Sequence, residues 1–441
     1  MSSPVYSYLL PLARVLLRLF FHRIEVKGSQ AVPTSGPVIF AANHPNMLMD
    51  ALVLATSQPR KLSFLAKATL FHSPLLGRFL ATVGVLPVYR RSDKHGETGK
   101  NVLTFGACFE LLKNGGAVAL FPEGVSHERQ AILPLKTGCS RIALECEERN
   151  NFNLGITVIP AGLYYSAPAI FRSDILVVLG PTLDPADYFE HYRSEPQEAV
   201  RKMTADLERR LRKLTLHVPH LEDEPLIEGL RHMFTGAPDM GSRLAIDQTL
   251  VKAVAHFNAS DPERYRRLRR DVLHYRQWLF ALDVDHSRLE RRNWSSTMRG
   301  MMPRLVLGGA ALPLFLYGAL NNFLPYKMPG WVSRVVAREP VEVATTKLVT
   351  GMVSFPLFYS LQTWAVWRWF GSAPAIIYAV LLPLTGLAVL FYVEATREFF
   401  GALRPGLLYW SKGHRMHRVQ EMRDEIVREL ELCRSEYLAL H

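Results

Sequence analysis

The stretch VIFAANHPNMLMDAL, residues 38–52, decides how the surrounding chain folds. An apolar run ends abruptly at Asn43 and His44, and apolar residues then resume at helical spacing with Asp50 among them. A strand therefore passes into a helix here, and the pattern recurs outward. Further strand-like runs cover 62–66, 85–89, 117–121, 156–161 and 175–179, with helical patterns around 47–57, 74–82, 98–114 and 138–149. Strands separated by helices define an α/β domain, a mixed sheet flanked by helices, over residues 24–181.

The rest of the chain has a different character. Its 441 residues exceed what one core usually holds, so two units are expected. Fifty-two Lys and Arg against 40 Asp and Glu give a net charge of +12, which suits a phosphate-bearing partner: nucleic acid, an anionic bilayer or a phosphorylated metabolite. Cys108, Cys139, Cys146 and Cys433 form no CxxC pair and have no histidine at ligand spacing, which argues against a disulfide framework or a zinc site. Residues 182–300 read as a charged helical region, as in QEAVRKMTADLERRLRKL.

Residues 301–400 hold three candidate transmembrane helices. Residues 373–393 are uncharged and long enough to cross a hydrocarbon layer of ~30 Å. Residues 348–367 end in a cluster of Trp364, Trp367, Arg368 and Trp369, and RWFGSA makes a tight hairpin with the next helix. The third, 305–325, carries Pro313, Asn321 and Asn322 and is expected to cross as well. At the N-terminus, Ser7, Pro11, Arg14, Arg18 and His22 form one stripe on residues 1–23, the pattern of an amphipathic helix in a membrane interface; a first helix packed on the soluble core is the alternative. Residues 401–441 form a basic C-terminal helix.

The chemistry concentrates at strand ends. A histidine just after a strand, with a carboxylate at the start of the next helix, is what a general base needs: the carboxylate orients one ring nitrogen while the other takes a proton. His44 and Asp50 fit that arrangement. In AVALFPEGVSHE (117–128) a second apolar run breaks at Glu123 and Gly124, and two broken strand ends suggest a shared cleft. GVLPVYRR (84–91) ends in Arg90 and Arg91, and PLKTG (134–138) supplies Lys136, cations suited to a phosphate. Ser126 and Cys139 lack a G-x-S-x-G context, and HERQA lacks the second histidine of HExxH, so neither a covalent nucleophile nor a metal is expected.

The ordered blocks NHPNMLMD, GVLPVYRR, FPEGVSHE and VIPAGLYY resemble those of the glycerolipid acyltransferase superfamily. The resemblance covers roughly residues 24–181. It implies that His44 is the catalytic base and Asp50 its orienting acid, and that Asn43, Arg90, Glu123, Gly124 and Lys136 serve substrate binding, with Pro160 in the block that lines the acyl or acceptor site. Lys67 stands where relatives often carry a lysine after the second strand. Five residues separate His44 from Asp50, one more than the commonest spacing, and Met49 occupies the position that spacing would use. The membrane-bound eukaryote-type glycerol-3-phosphate acyltransferases share the longer spacing and the charged and apolar regions that follow, so the chain looks most like that branch.

The resemblance implies an O-acyltransferase moving an acyl chain from an acyl thioester, acyl-CoA or acyl carrier protein, to glycerol-3-phosphate, with no cofactor and no nucleic acid. A lysophosphatidate or other lysophospholipid acceptor is the alternative within the superfamily. An inactive membrane lipid-binding or transport protein is the alternative from another class. An integral membrane protein whose catalytic domain faces the cytoplasm fits cytosolic acyl donors and products that partition into lipid.

Overall fold

A computed structural model describes residues 4–89, 101–233, 238–282, 286 and 294–440. The chain divides into two compact units: residues 1–219 with 239–244 and 338–345, and the remainder.

The first unit opens with α1 (Pro4–Phe20), then β1 (Arg23–Lys27), β2 (Val38–Ala42), α2 (Met47–Thr56), β3 (Leu62–Lys67), a 3-10 turn over Ala68–His72, α3 (Pro74–Thr82) and β4 (Leu86–Val88). There follow α4 (Asn101–Lys113), β5 (Ala117–Leu120), α5 (Gly138–Arg149), β6 (Thr157–Tyr165), β7 (Asp174–Leu179), α6 (Phe189–Ser194) and α7 (Pro196–Leu214). The seven strands form one sheet in the order β1-β7-β6-β2-β5-β3-β4. Strands β6, β2, β5, β3 and β4 run parallel, while β7 is antiparallel to β6 and parallel to β1. The sheet is mixed, as expected.

The central strands are apolar on both faces because helices cover both: all five residues of β2 and all four of β5 are buried. Ile39, Ala41, Val118 and Val158 share one core with Ile142 of α5 and Leu207 and Leu211 of α7. That packing carries the first unit past residue 181 to 219, because α7 belongs to the sheet's core. Gly162 in β6 permits it: a Cβ there would lie 2.2 Å from the Leu214 carbonyl oxygen. Helix α1 buries Leu17 and Phe20 on the domain while Tyr8, Leu12, Val15 and Leu19 stay exposed, so one side packs and another faces outward.

The second unit is helical: α8 (Glu224–Met233), most of α9 (Met240–Ser260), α10 (Pro262–Leu282), α11 (Trp294–Val336), most of α12 (Val343–Phe370) and α13 (Ser372–Leu440). Among the described residues one stretch, Ser372–Thr396 in α13, is long and apolar enough to cross a membrane. The expected segments 305–325 and 348–367 lie inside α11 and α12. Polar groups tie these helices together: the Tyr359 hydroxyl donates to Asn322 Oδ1 (2.5 Å) and the Tyr378 hydroxyl to Asn321 Oδ1 (2.6 Å). The C-terminal segment is not a separate helix but the continuation of α13, which Arg264 of α10 grips through Glu429 and Glu436, both at 2.5 Å.

Candidate active site

Strand register places the site. Ala41 of β2 pairs with Leu120 of β5, and Ala119 of β5 with Phe64 of β3. Three residues beyond Ala41 and Leu120 come His44 and Glu123, just past their strands, while Lys67 is the last residue of β3, so all three lie at the carboxyl ends of adjacent parallel strands. Open α/β sheets bind their ligands at this edge.

His44 is held from three sides. Its Nδ1 lies 2.9 Å from Asp50 Oδ2, on the first turn of α2. Its ring stacks on Phe121, with centroids 3.9 Å apart and planes 9° from parallel. Its backbone N–H donates to Glu123 Oε1 (2.9 Å). A carboxylate can only accept, so the Nδ1 contact assigns the proton to that nitrogen and leaves the lone pair on Nε2. With 19% of the side chain exposed, the imidazole can be reached from solvent.

Asp50 is wholly buried and fully engaged. Besides His44 it accepts the Asn46 N–H on Oδ2 (2.6 Å) and the Tyr165 hydroxyl on Oδ1 (2.6 Å). Such donors stabilise a buried carboxylate that would otherwise be costly. Burial pushes the Tyr165 phenol well above its ordinary pKa and the charge of Asp50 adds to the shift, so the hydroxyl remains a donor. Between His44 and Asp50, Met47 at the start of α2 adopts a left-handed φ of 44°. Ser126 braces this turn, donating to the His44 carbonyl (2.9 Å) and accepting the Met47 N–H (3.1 Å).

The other residues expected to serve substrate binding are placed as follows. The buried carboxylate of Glu123 accepts from the His44 N–H, the Leu133 N–H (2.9 Å) and, at 2.5 Å from Oε2, the His127 Nε2. It locks three loop positions together. Asn43 is also turned inward, bonding the Leu163 carbonyl (3.0 Å) and N–H (2.7 Å) through the two ends of its amide and so fastening β2 to β6. Pro160 sits inside the sheet opposite Ala41, short of the edge where His44 emerges. The Gly124 N–H donates to the Phe121 carbonyl (2.9 Å), so that amide is spent on the turn and not offered to an oxyanion. Gly124 has φ 74°, and the Lys136 side chain lies against it: a Cβ would meet the Nζ at 2.5 Å. Lys67 and Lys136 are both exposed. Arg90 lies outside the described residues.

Sequence reasoning missed Tyr165 and His127. Tyr165 lies 115 residues from the aspartate it contacts, and no local pattern links them. His127 follows Glu123 by four residues, a spacing that could have flagged the pair; its Nδ1 is buried with no partner among the described residues.

A protein-family model described as Acyltransferase matches residues 23–164. An uncharacterised acyltransferase of Schizosaccharomyces pombe is 23% identical over 97% of this chain and 80% of its own length. Glycerol-3-phosphate O-acyltransferase 1 of Saccharomyces cerevisiae is 23% identical over 86% of this chain and 61% of its own length. The chloroplastic 1-acyl-sn-glycerol-3-phosphate acyltransferase BAT2 of Brassica napus is 28% identical over 32% of this chain and 38% of its own length. This chain thus spans less than two thirds of either of these last two proteins. The strands and loops that hold His44, Asp50 and Glu123 fall inside the matched residues: 23–164 are an acyltransferase domain, and the chain's relatives include glycerol-3-phosphate and 1-acyl-sn-glycerol-3-phosphate acyltransferases.

Proposed function

We propose that the chain is a membrane-bound acyltransferase that moves an acyl group from a thioester to a hydroxyl of glycerol-3-phosphate, with His44 as general base. The observation that carries this reading is the His44–Asp50 pair, in which a buried carboxylate holds Nδ1 of a partly exposed imidazole and leaves Nε2 free to act as base. In this mechanism Nε2 takes the proton of the acceptor hydroxyl as its oxygen bonds to the thioester carbonyl carbon. The tetrahedral intermediate then collapses, the carbon–sulfur bond breaks, and the imidazolium returns the proton to the departing thiolate. Asp50 supports the charge on the ring throughout. Lys67 and Lys136, exposed on the same edge, supply positive potential for the acceptor's phosphate. No acyl-enzyme is required: Ser126 is committed to loop hydrogen bonds, and burial pushes the Cys139 thiol up to about 12.

The apolar stretch Ser372–Thr396 supports attachment to a membrane, and a cytoplasmic catalytic domain suits acyl-CoA or acyl carrier protein as donor. The Brassica napus relative favours lysophosphatidate as the second acceptor to be tried. The test is transfer of a labelled acyl chain to glycerol-3-phosphate and, separately, to lysophosphatidate by the purified protein. Replacing His44 by Ala should lower transfer by about 10²- to 10⁴-fold, the usual range for a lost general base, and Asp50→Ala should also cause a large loss. Undiminished transfer by His44→Ala would refute the mechanism, and transfer to lysophosphatidate alone would reassign the acceptor.

A further inference from the structure

The segment after β3 is exposed in an unusual way. Over residues 68–82 only Ala68 is buried, although Leu70, Phe71, Leu75, Leu76, Phe79 and Leu80 make it largely apolar. Leu75 is 84% exposed, Phe79 47%, Leu70 43% and Leu76 40%. Helix α3 is nevertheless fixed in place: a Cβ on Gly77 would lie 2.8 Å from the Phe71 carbonyl oxygen, so helix and preceding turn are in close backbone contact. A cluster of large apolar side chains held in water marks an interaction surface.

Charge selects the partner. Between Asp50 and Asp93 the sequence contains no acidic residue, while Arg60, Lys61, Lys67, Arg78, Arg90 and Arg91 are basic. Of these, Lys67 at the end of β3 and Arg78 on α3 are exposed beside the apolar side chains, and positive charge there would repel a second copy and attract lipid phosphates. Its place in the fold adds a reason. The segment begins directly after Lys67, at the sheet edge that carries His44. Aromatic rings lead from that strand to the imidazole, with Phe64 stacked 6.3 Å from Phe121 and Phe121 stacked 3.9 Å from His44.

We propose that Ala68–Thr82 is a bilayer-docking surface that lays Leu70, Leu75, Leu76 and Phe79 into the headgroup region of an anionic membrane. Docking there brings the His44 edge of the sheet to the level at which acyl chains and lysolipids lie. The inference deepens the membrane reading given above, but its test needs no catalysis.

Leu75→Cys and Phe79→Cys are each spin-labelled in the full chain, with Glu190→Cys as a water-exposed control and Ile377→Cys in the apolar stretch of α13. Cys108, Cys139 and Cys146 are buried, with thiols pushed up to about 12, and stay unlabelled. In nanodiscs of phosphatidylcholine and phosphatidylglycerol, labels at 75 and 79 should collide more with oxygen than with a water-soluble nickel chelate, and the label at 190 the reverse. Nickel accessibility at 75 and 79 equal to that at 190 overturns the proposal. So does shielding that appears only when a long-chain acyl-CoA is added, which would make the segment an acyl-chain cradle, and so does spin–spin broadening at 75, which would signal a second copy. If Ile377 reports lipid while Leu75 reports water, docking alone fails; if both report water, the membrane reading fails with it.

Discussion

At the scale of single residues, the imidazole is set by a chain of contacts inside the protein. Tyr165 reaches His44 only through Asp50, so Tyr165→Phe should lower kcat by about tenfold, the worth of one hydrogen bond to a charged group, and leave KM unchanged. Combined with Asp50→Asn it should add almost nothing, because both changes break one chain of contacts; additive losses would mean that the hydroxyl acts elsewhere. Glu123 makes an opposite distinction. Its carboxylate accepts from the protein on both oxygens, so Glu123→Gln turns one acceptor into a donor facing other donors and should cost about 1–3 kcal/mol, read as a lower Tm. A raised KM with an unchanged Tm would instead place Glu123 in the acceptor pocket.

At the scale of elements, agreement between sequence and structure follows how local the signal is. Strand β2 over 38–42 and helix α5 fall where apolar periodicity puts them, because burial on one face or both writes itself directly into the pattern; α3 also spans the expected 74–82, although it buries no residue. Strand β1 was not legible: RIEVK is five residues long, three of them charged, and lies at the sheet edge beside β7. Strand β6 runs to Tyr165, past the expected end at Ala161, and its Gly162 serves a close approach to α7. Gly162→Ala should therefore unseat the end of α7 and leave little folded protein, measurable as lost soluble yield and a Tm lowered by several degrees. The left-handed Met47 was invisible for a different reason, since methionine carries no turn signature and the turn is imposed by Asp50, Asn46 and Ser126. Thus the order of blocks gave the His44–Asp50 pair, while the inward turn of Glu123 and Asn43 depended on strands that meet only in the folded domain.

At the scale of the whole molecule, the two units rest on different foundations, one a sheet with helices on both faces, the other long helices joined by buried polar contacts. The cysteines test how closed these interiors are. Burial raises the thiols of Cys108, Cys139 and Cys146 to about 12, so a thiol reagent at neutral pH should leave all three unmodified in the native protein and modify them once denaturant is added. Prompt reaction in the native state would show that the sheet's helical cover opens. The supports of His44 also span the chain: Glu123 lies 79 residues from it, and Tyr165 reaches Asp50 across 115. No contiguous fragment shorter than residues 44–165 contains them all. A nascent or partly unfolded chain therefore holds the histidine without its supports, and the proposed base would come into being only in finished molecules, once β6 has been laid beside β2.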